Sequence, residues 1–128
     1  MTPSSRLPAK TYRATVAGVT YEGRDEVIRS HGRIGRKVTL VREPDNSFDK
    51  NAIRVLLHVP VLFGLLGWRP TLIGYIRAGT AKWLARRLDR GESVRAHVHS
   101  TWMTRPRVTI EFELMQREMP SGAGSAKD

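Results

Sequence analysis

The amino-acid pattern predicts a mainly β fold with one or two helices, built as a small, partly open barrel of five to six antiparallel strands. Three observations carry this expectation. Short segments in which apolar and polar residues alternate recur along the chain, the period of a strand with one buried face. Turn-forming residues separate these segments. A single convincing helical periodicity occurs, and it comes late.

Taken in order, residues 12–19 are β-branched and read as a strand, with Gly18 marking a bulge or a close backbone approach. Residues 22–37 (EGRDEVIRSHGRIGRK) hold three glycines among many charges, which predicts a mobile basic loop or hairpin. Residues 37–42 alternate, with Val38 and Leu40 on one face. Glu43-Pro44-Asp45-Asn46-Ser47 is turn chemistry, because proline fixes φ and the Asp, Asn and Ser side chains bond their own backbone. Residues 52–59 resume the period of two, placing Ile53, Val55 and Leu57 inward, and residues 71–76 form a further short strand. In residues 78–90 the spacing of Ala81, Leu84, Ala85 and Leu88 predicts the helix, with Gly91 at its C-terminal cap. Residues 94–100 and 107–114 alternate again as a hairpin, in register to set Arg95 and His97 against Glu113 and Glu111. One domain, residues 11–118, is expected between polar tails at 1–10 and 119–128.

Composition narrows the function classes. Lys and Arg number 22 against 12 Asp and Glu, a net charge of +10, which attracts polyanions or, at the least, keeps the chain soluble. With no cysteine, disulfides, thiolate-bound zinc and thiol catalysis are excluded. The longest apolar run, residues 59–68, is far short of the roughly 20 residues a spanning helix needs. The first ten residues lack the apolar core of a secretory signal, so a cytoplasmic protein without membrane partners is expected. No nucleophile elbow, phosphate loop or HExxH motif occurs, so no enzyme and no cofactor are expected. His97 and His99 share a strand face but lack a third ligand, and no metal site is predicted.

The block LVREPDNSFDKNAIRV (residues 40–55), followed by IGYIRAGTAKWLARRLDRG (73–91) and preceded by VAGVTY (16–21), resembles the HIRAN domain family. The likeness implies a modified OB-like barrel that binds single-stranded DNA at a free 3′ end, in DNA repair or replication. In such domains, the resemblance implies, an aromatic ring stacks on the terminal base, a carboxylate meets the terminal hydroxyl, and cations hold phosphates. Carried over by position, Phe48 is the stacking ring, Asp49 the hydroxyl acceptor and Tyr21 a second aromatic, with Arg42, Lys50 and Asn51 beside them. Two family cations are replaced, by Thr20 and Ala78. Arg77, Lys82, Arg24 and Arg29 are the candidates to compensate, and Trp102 falls near another family aromatic. The competing reading is that Asp49 and Asn51 only brace the turn while Phe48 plugs the barrel.

Two further features come from the residues alone. On a helical wheel Trp83 lies opposite the apolar stripe and beside Arg86, Arg87 and Arg90, either a stacking platform or a ring packed under a loop. The apolar run carries Val61, Leu62, Phe63, Leu65, Leu66 and Trp68, which suggests a homo-oligomer contact or a helicase or nuclease partner. A protein-interaction adaptor is therefore the rival function. A metal-dependent nuclease using Glu43, Asp45 and Asp49 is a distant third.

Overall fold

The computed structural model describes residues 10–102 and 105–112. Six strands and two helices follow in order: β1 (Lys10–Ala17), α1 (Arg24–His31), β2 (Lys37–Arg42), β3 (Ile53–Pro60), β4 (Trp68–Ile76), α2 (Ala78–Asp89), β5 (Val94–Ser100) and β6 (Arg107–Phe112). The strands close into an antiparallel barrel in the order β1-β4-β3-β2-β5-β6. The ring is complete where a partly open one was expected, but two of its seams are short. β1 meets β4 only at Val16–Ile76 and Ala17–Tyr75, and β2 meets β5 only at Lys37–His97 and Val38–Ala96.

Alternation explains the core. Ile53, Val55 and Leu57 on β3, Val38 on β2, and Val108, Ile110 and Phe112 on β6 all point inward and are buried. Each large apolar side chain so buried contributes about 1.5–3 kcal/mol. From α2, Ala81, Leu84 and Ala85 close one end of this core. The helix ends as its sequence predicts: Gly91 takes φ 85°, its N–H donates to the Leu88 carbonyl, and the Glu92 N–H donates to Arg87, satisfying two end carbonyls.

Residues 22–37 correct the sequence expectation. Eight of them form α1, between Gly23 and Gly32. Ile28 is buried and Val27 packs on the core, while Asp25 and Glu26 in the first turn and Arg29 and His31 in the last match the helix dipole. The β5–β6 register also differs. Arg95 faces Glu111 and His97 faces Thr109, with a bulge between Val98 and Ser100. A two-residue slip leaves every inward residue inward, so alternation alone does not distinguish the two registers. The expected inward Leu114 and the tails at 1–9 and 119–128 lie outside the described residues, whereas Lys10 already belongs to β1.

β4 starts three residues earlier than expected, so the β3–β4 hairpin projects past the barrel. His58 pairs with Pro70, Val59 with Arg69 and Pro60 with Trp68. A 3-10 turn at Leu62–Gly64 forms the tip, with Leu62, Phe63, Leu65 and Leu66 exposed.

Candidate nucleic-acid interface

The turn joining β2 to β3 is organised by Asn46. Its Oδ1 accepts the backbone N–H groups of Phe48 (2.8 Å) and Asp49 (3.0 Å), and its Nδ2 donates to Glu43 Oε1 (2.7 Å). Asp49 Oδ1 accepts the Asn51 N–H (2.9 Å), and the Asp49 carbonyl accepts the Ala52 N–H. The carboxylate therefore braces the turn through one oxygen. Phe48, whose N–H is held, projects its ring into solvent with 96% of its surface exposed. It does not plug the barrel.

Behind this turn a chain of contacts reaches the loop after β1. Glu43 Oε1 also accepts the Tyr75 hydroxyl (2.9 Å), and Arg54 on β3 lies 3.9 Å from Glu43 Oε2. The Arg24 guanidinium sits 5.8 Å from the ring centres of both Tyr75 and Tyr21 and donates to the Gly18 carbonyl (2.7 Å). Tyr21 is 64% exposed. Hydrogen bonds from Asn46 and Tyr75, with Arg54 nearby, hold the Glu43 carboxyl below its ordinary range. Burial and the bond to Glu43 push the Tyr75 phenol up. At neutral pH the Glu43–Tyr75 pair is thus a carboxylate accepting from a neutral phenol.

The sequence-predicted residues divide on this geometry. Tyr21, Phe48, Lys50, Arg77, Lys82, Arg86 and Trp102 are exposed. Arg42 is committed to the fold: its Nε and Nη2 donate to the Asp89 carboxylate (2.9 and 3.3 Å) and its Nη1 donates to the Ala52 carbonyl (2.9 Å). Asn51 offers its backbone N–H to Asp49. Trp83 is half-buried against Tyr12 and Phe112, with ring centres 5.0 and 6.2 Å away, and Arg87 covers Phe112 at 3.8 Å. It packs as core rather than standing free as a platform, because β1 and β6 supply rings to the helix flank that a wheel leaves empty. Of the compensating cations, Arg24 lies beside both Tyr21 and Tyr75 but pairs with Glu22 (3.2 Å), while Arg29 pairs with Asp25 and Glu26. Tyr75, Asn46 and Arg54 were not singled out as site residues in the sequence, and Glu43 only as a candidate metal ligand. The IGYI segment held the one available signal, a tyrosine in an otherwise apolar strand.

Among the described residues no group of three potential ligands can hold a metal ion. Glu43 Oε1 instead accepts from Asn46 and Tyr75, and Asp49 Oδ1 from the Asn51 N–H. No helix among the described residues is long and apolar enough to cross a membrane.

The HIRAN domain profile matches residues 10–117. The chain belongs to the HIRAN domain family. Two solved structures share its fold. The HIRAN domain of human HLTF is 21% identical, with 80% of this chain and 74% of that chain covered at a TM-score of 0.56. A protein from Lactobacillus plantarum is 23% identical, with 84% and 98% covered at 0.63. A search of curated proteins finds no match. In this HIRAN domain the profile spans the whole contact chain from Tyr21 to Tyr75 and all six strands.

Proposed function

We propose that this HIRAN domain is a non-catalytic module that binds single-stranded DNA at a free 3′ end, in DNA repair or replication. One observation carries the reading: an almost fully exposed Phe48 ring stands on a turn in which Asn46 holds the N–H groups of both Phe48 and Asp49. Exposing a phenylalanine has no benefit to folding, whereas a pre-positioned ring stacks on a base of any identity. Asp49 Oδ2, which has no hydrogen-bond partner among the described residues, would accept a terminal hydroxyl and repel a terminal phosphate. Lys50 on the turn and the exposed Arg77, two residues after Tyr75, are the cations available to phosphates, and family membership supports DNA as the ligand class.

The experiment is a competition among strands ending in 3′-hydroxyl, 3′-phosphate and 5′-hydroxyl. The 3′-hydroxyl strand is expected to win, and Phe48→Ala to weaken it by about 5- to 150-fold, the equivalent of a stacking energy of about 1–3 kcal/mol. Equal affinity for all three ends would refute the reading. A second function, protein contact, is favoured by the hairpin tip, where Phe63 is 98% exposed beside three exposed leucines. Concentration-dependent mass in light scattering, abolished by Phe63→Ser, would support it.

A further inference from the structure

At the base of the projecting hairpin lies a cavity of about 340 Å³ lined by Arg36, Lys37, His58 and Trp68. Trp68 is 54% exposed, and the Arg36 guanidinium lies over its ring at 5.1 Å. His58 Nε2 and Thr39 Oγ1 are 2.6 Å apart. Burial, together with Lys37, lowers the His58 pKa, so the imidazole is neutral at physiological pH and the fixed charges here are Arg36 and Lys37. The segments that build the cavity are free of acid: no Asp or Glu lies between Glu26 and Glu43 or between Asp49 and Asp89. Glu111 lines a separate cavity of about 480 Å³ on the β5 side of Lys37.

We infer that this cavity is a second nucleotide subsite, taking a base and its phosphate from a single strand that runs along the outer face of β2, β3 and β4. The ligand class follows from the lining. An indole with a guanidinium plane over it offers stacking surface to a flat heterocycle, and two cations without a carboxylate select an anion. The path follows from the register. Because Ile53, Val55 and Leu57 point inward, Arg54, Leu56 and His58 point outward. Arg54 lies opposite Tyr75, and Pro60 opposite Trp68. Six residues of strand separate those two pairs, roughly 20 Å, so a strand whose end is held at Phe48 has further nucleotides available at Trp68. The inference rests on the proposed function only for the choice of DNA. With no carboxylate in its lining, the cavity itself is indifferent to how the strand ends.

The test is a titration of the ¹⁵N-labelled full chain with oligothymidylates of about a dozen nucleotides, ending in 3′-hydroxyl or 3′-phosphate. The Trp68 indole N–H signal, identified by its loss in Trp68→Phe, is expected to move with both strands. Trp68→Ala is expected to weaken binding about tenfold, and Trp68→Phe to restore most of it. Both variants should keep the remaining spectrum, since the side chain is half outside the fold. If Trp68 responds while Phe48→Ala and the end chemistry change nothing, the terminal pocket fails and this subsite stands. A stationary Trp68 signal on a strand that binds overturns the subsite, as does unchanged affinity in Trp68→Ala. A Trp68 response to anionic phospholipid vesicles but not to oligonucleotides overturns it equally.

Discussion

Replacing Gly74 by alanine tests one of the two short seams of the barrel and the placement of Tyr75 together. A Cβ at Gly74 would meet the Ala17 carbonyl oxygen and would stand 2.6 Å from Val16 Cγ1 and 3.3 Å from Val19 Cγ1. The backbone oxygen cannot swing aside as a side chain would, so β1 must move off β4. Their seam consists of two residue pairs, followed by the Arg77 N–H donating to Thr15. Losing about two such hydrogen bonds at about 1 kcal/mol each, with overpacking of about 1–3 kcal/mol, gives a cost of about 3–5 kcal/mol. For a domain of this size each kcal/mol moves the midpoint by about 4–8 °C, so thermal unfolding followed by circular dichroism is expected at least about 12 °C lower. Gly79→Ala is the control. Nothing lies within 4 Å of its Cβ position and the residue is in α2, so alanine should raise stability by about 0.5–1 kcal/mol. A Gly74→Ala protein melting within about 3 °C of the parent would refute the argument.

Four further outcomes are expected. Arg42→Ala should lower stability by about 1 kcal/mol from the Ala52 carbonyl bond alone and leave the salt dependence of DNA binding unchanged, as urea unfolding and titrations across salt will read. Trp83→Ala should cost about 2–4 kcal/mol without altering the affinity of the protein that remains folded, whereas Arg86→Ala should reduce the logarithmic salt slope by about 1. Glu43 has a folded pKa below its unfolded one, so its contribution is complete above the unfolded value and disappears as pH falls through the folded value. Tyr75→Phe removes one of its donors and should shift acid unfolding to higher pH, measured by tryptophan emission. Tyr75 has the opposite sign: its raised pKa gives stability that is complete below about pH 10 and is lost as pH rises through the folded value, which alkaline unfolding of Tyr75→Phe will remove.

What was legible in the sequence was whatever repeats locally. Ile53, Val55 and Leu57 lie two apart, Ala81, Leu84 and Ala85 at helical spacing, and all six are buried. Helix α1 was not legible because its apolar residues, Val27 and Ile28, are adjacent rather than spaced at helical period and stand among charges and flanking glycines. Trp83 misled because a wheel ranks faces by their own helix, while its partners Tyr12 and Phe112 come from opposite ends of the chain. The same contrast runs through the site. Phe48 and Asp49 sit on a turn whose chemistry is written in consecutive residues. Tyr75 reaches Glu43 across 32 positions, and Arg24 at the start of α1 reaches Tyr75 near the end of β4, distances over which no local pattern operates.

The prolines in the projecting hairpin bear on how the protein behaves when concentrated. Both arms extend beyond the barrel wall, and a bare, greasy ribbon of that kind ordinarily invites a neighbouring molecule to zip on alongside. Pro60 and Pro70, one in each arm, delete an amide donor from each, and Arg69 adds charge between them. The ribbon can therefore offer its side chains to a ligand without templating fibrils, a safeguard that Pro70→Val would remove.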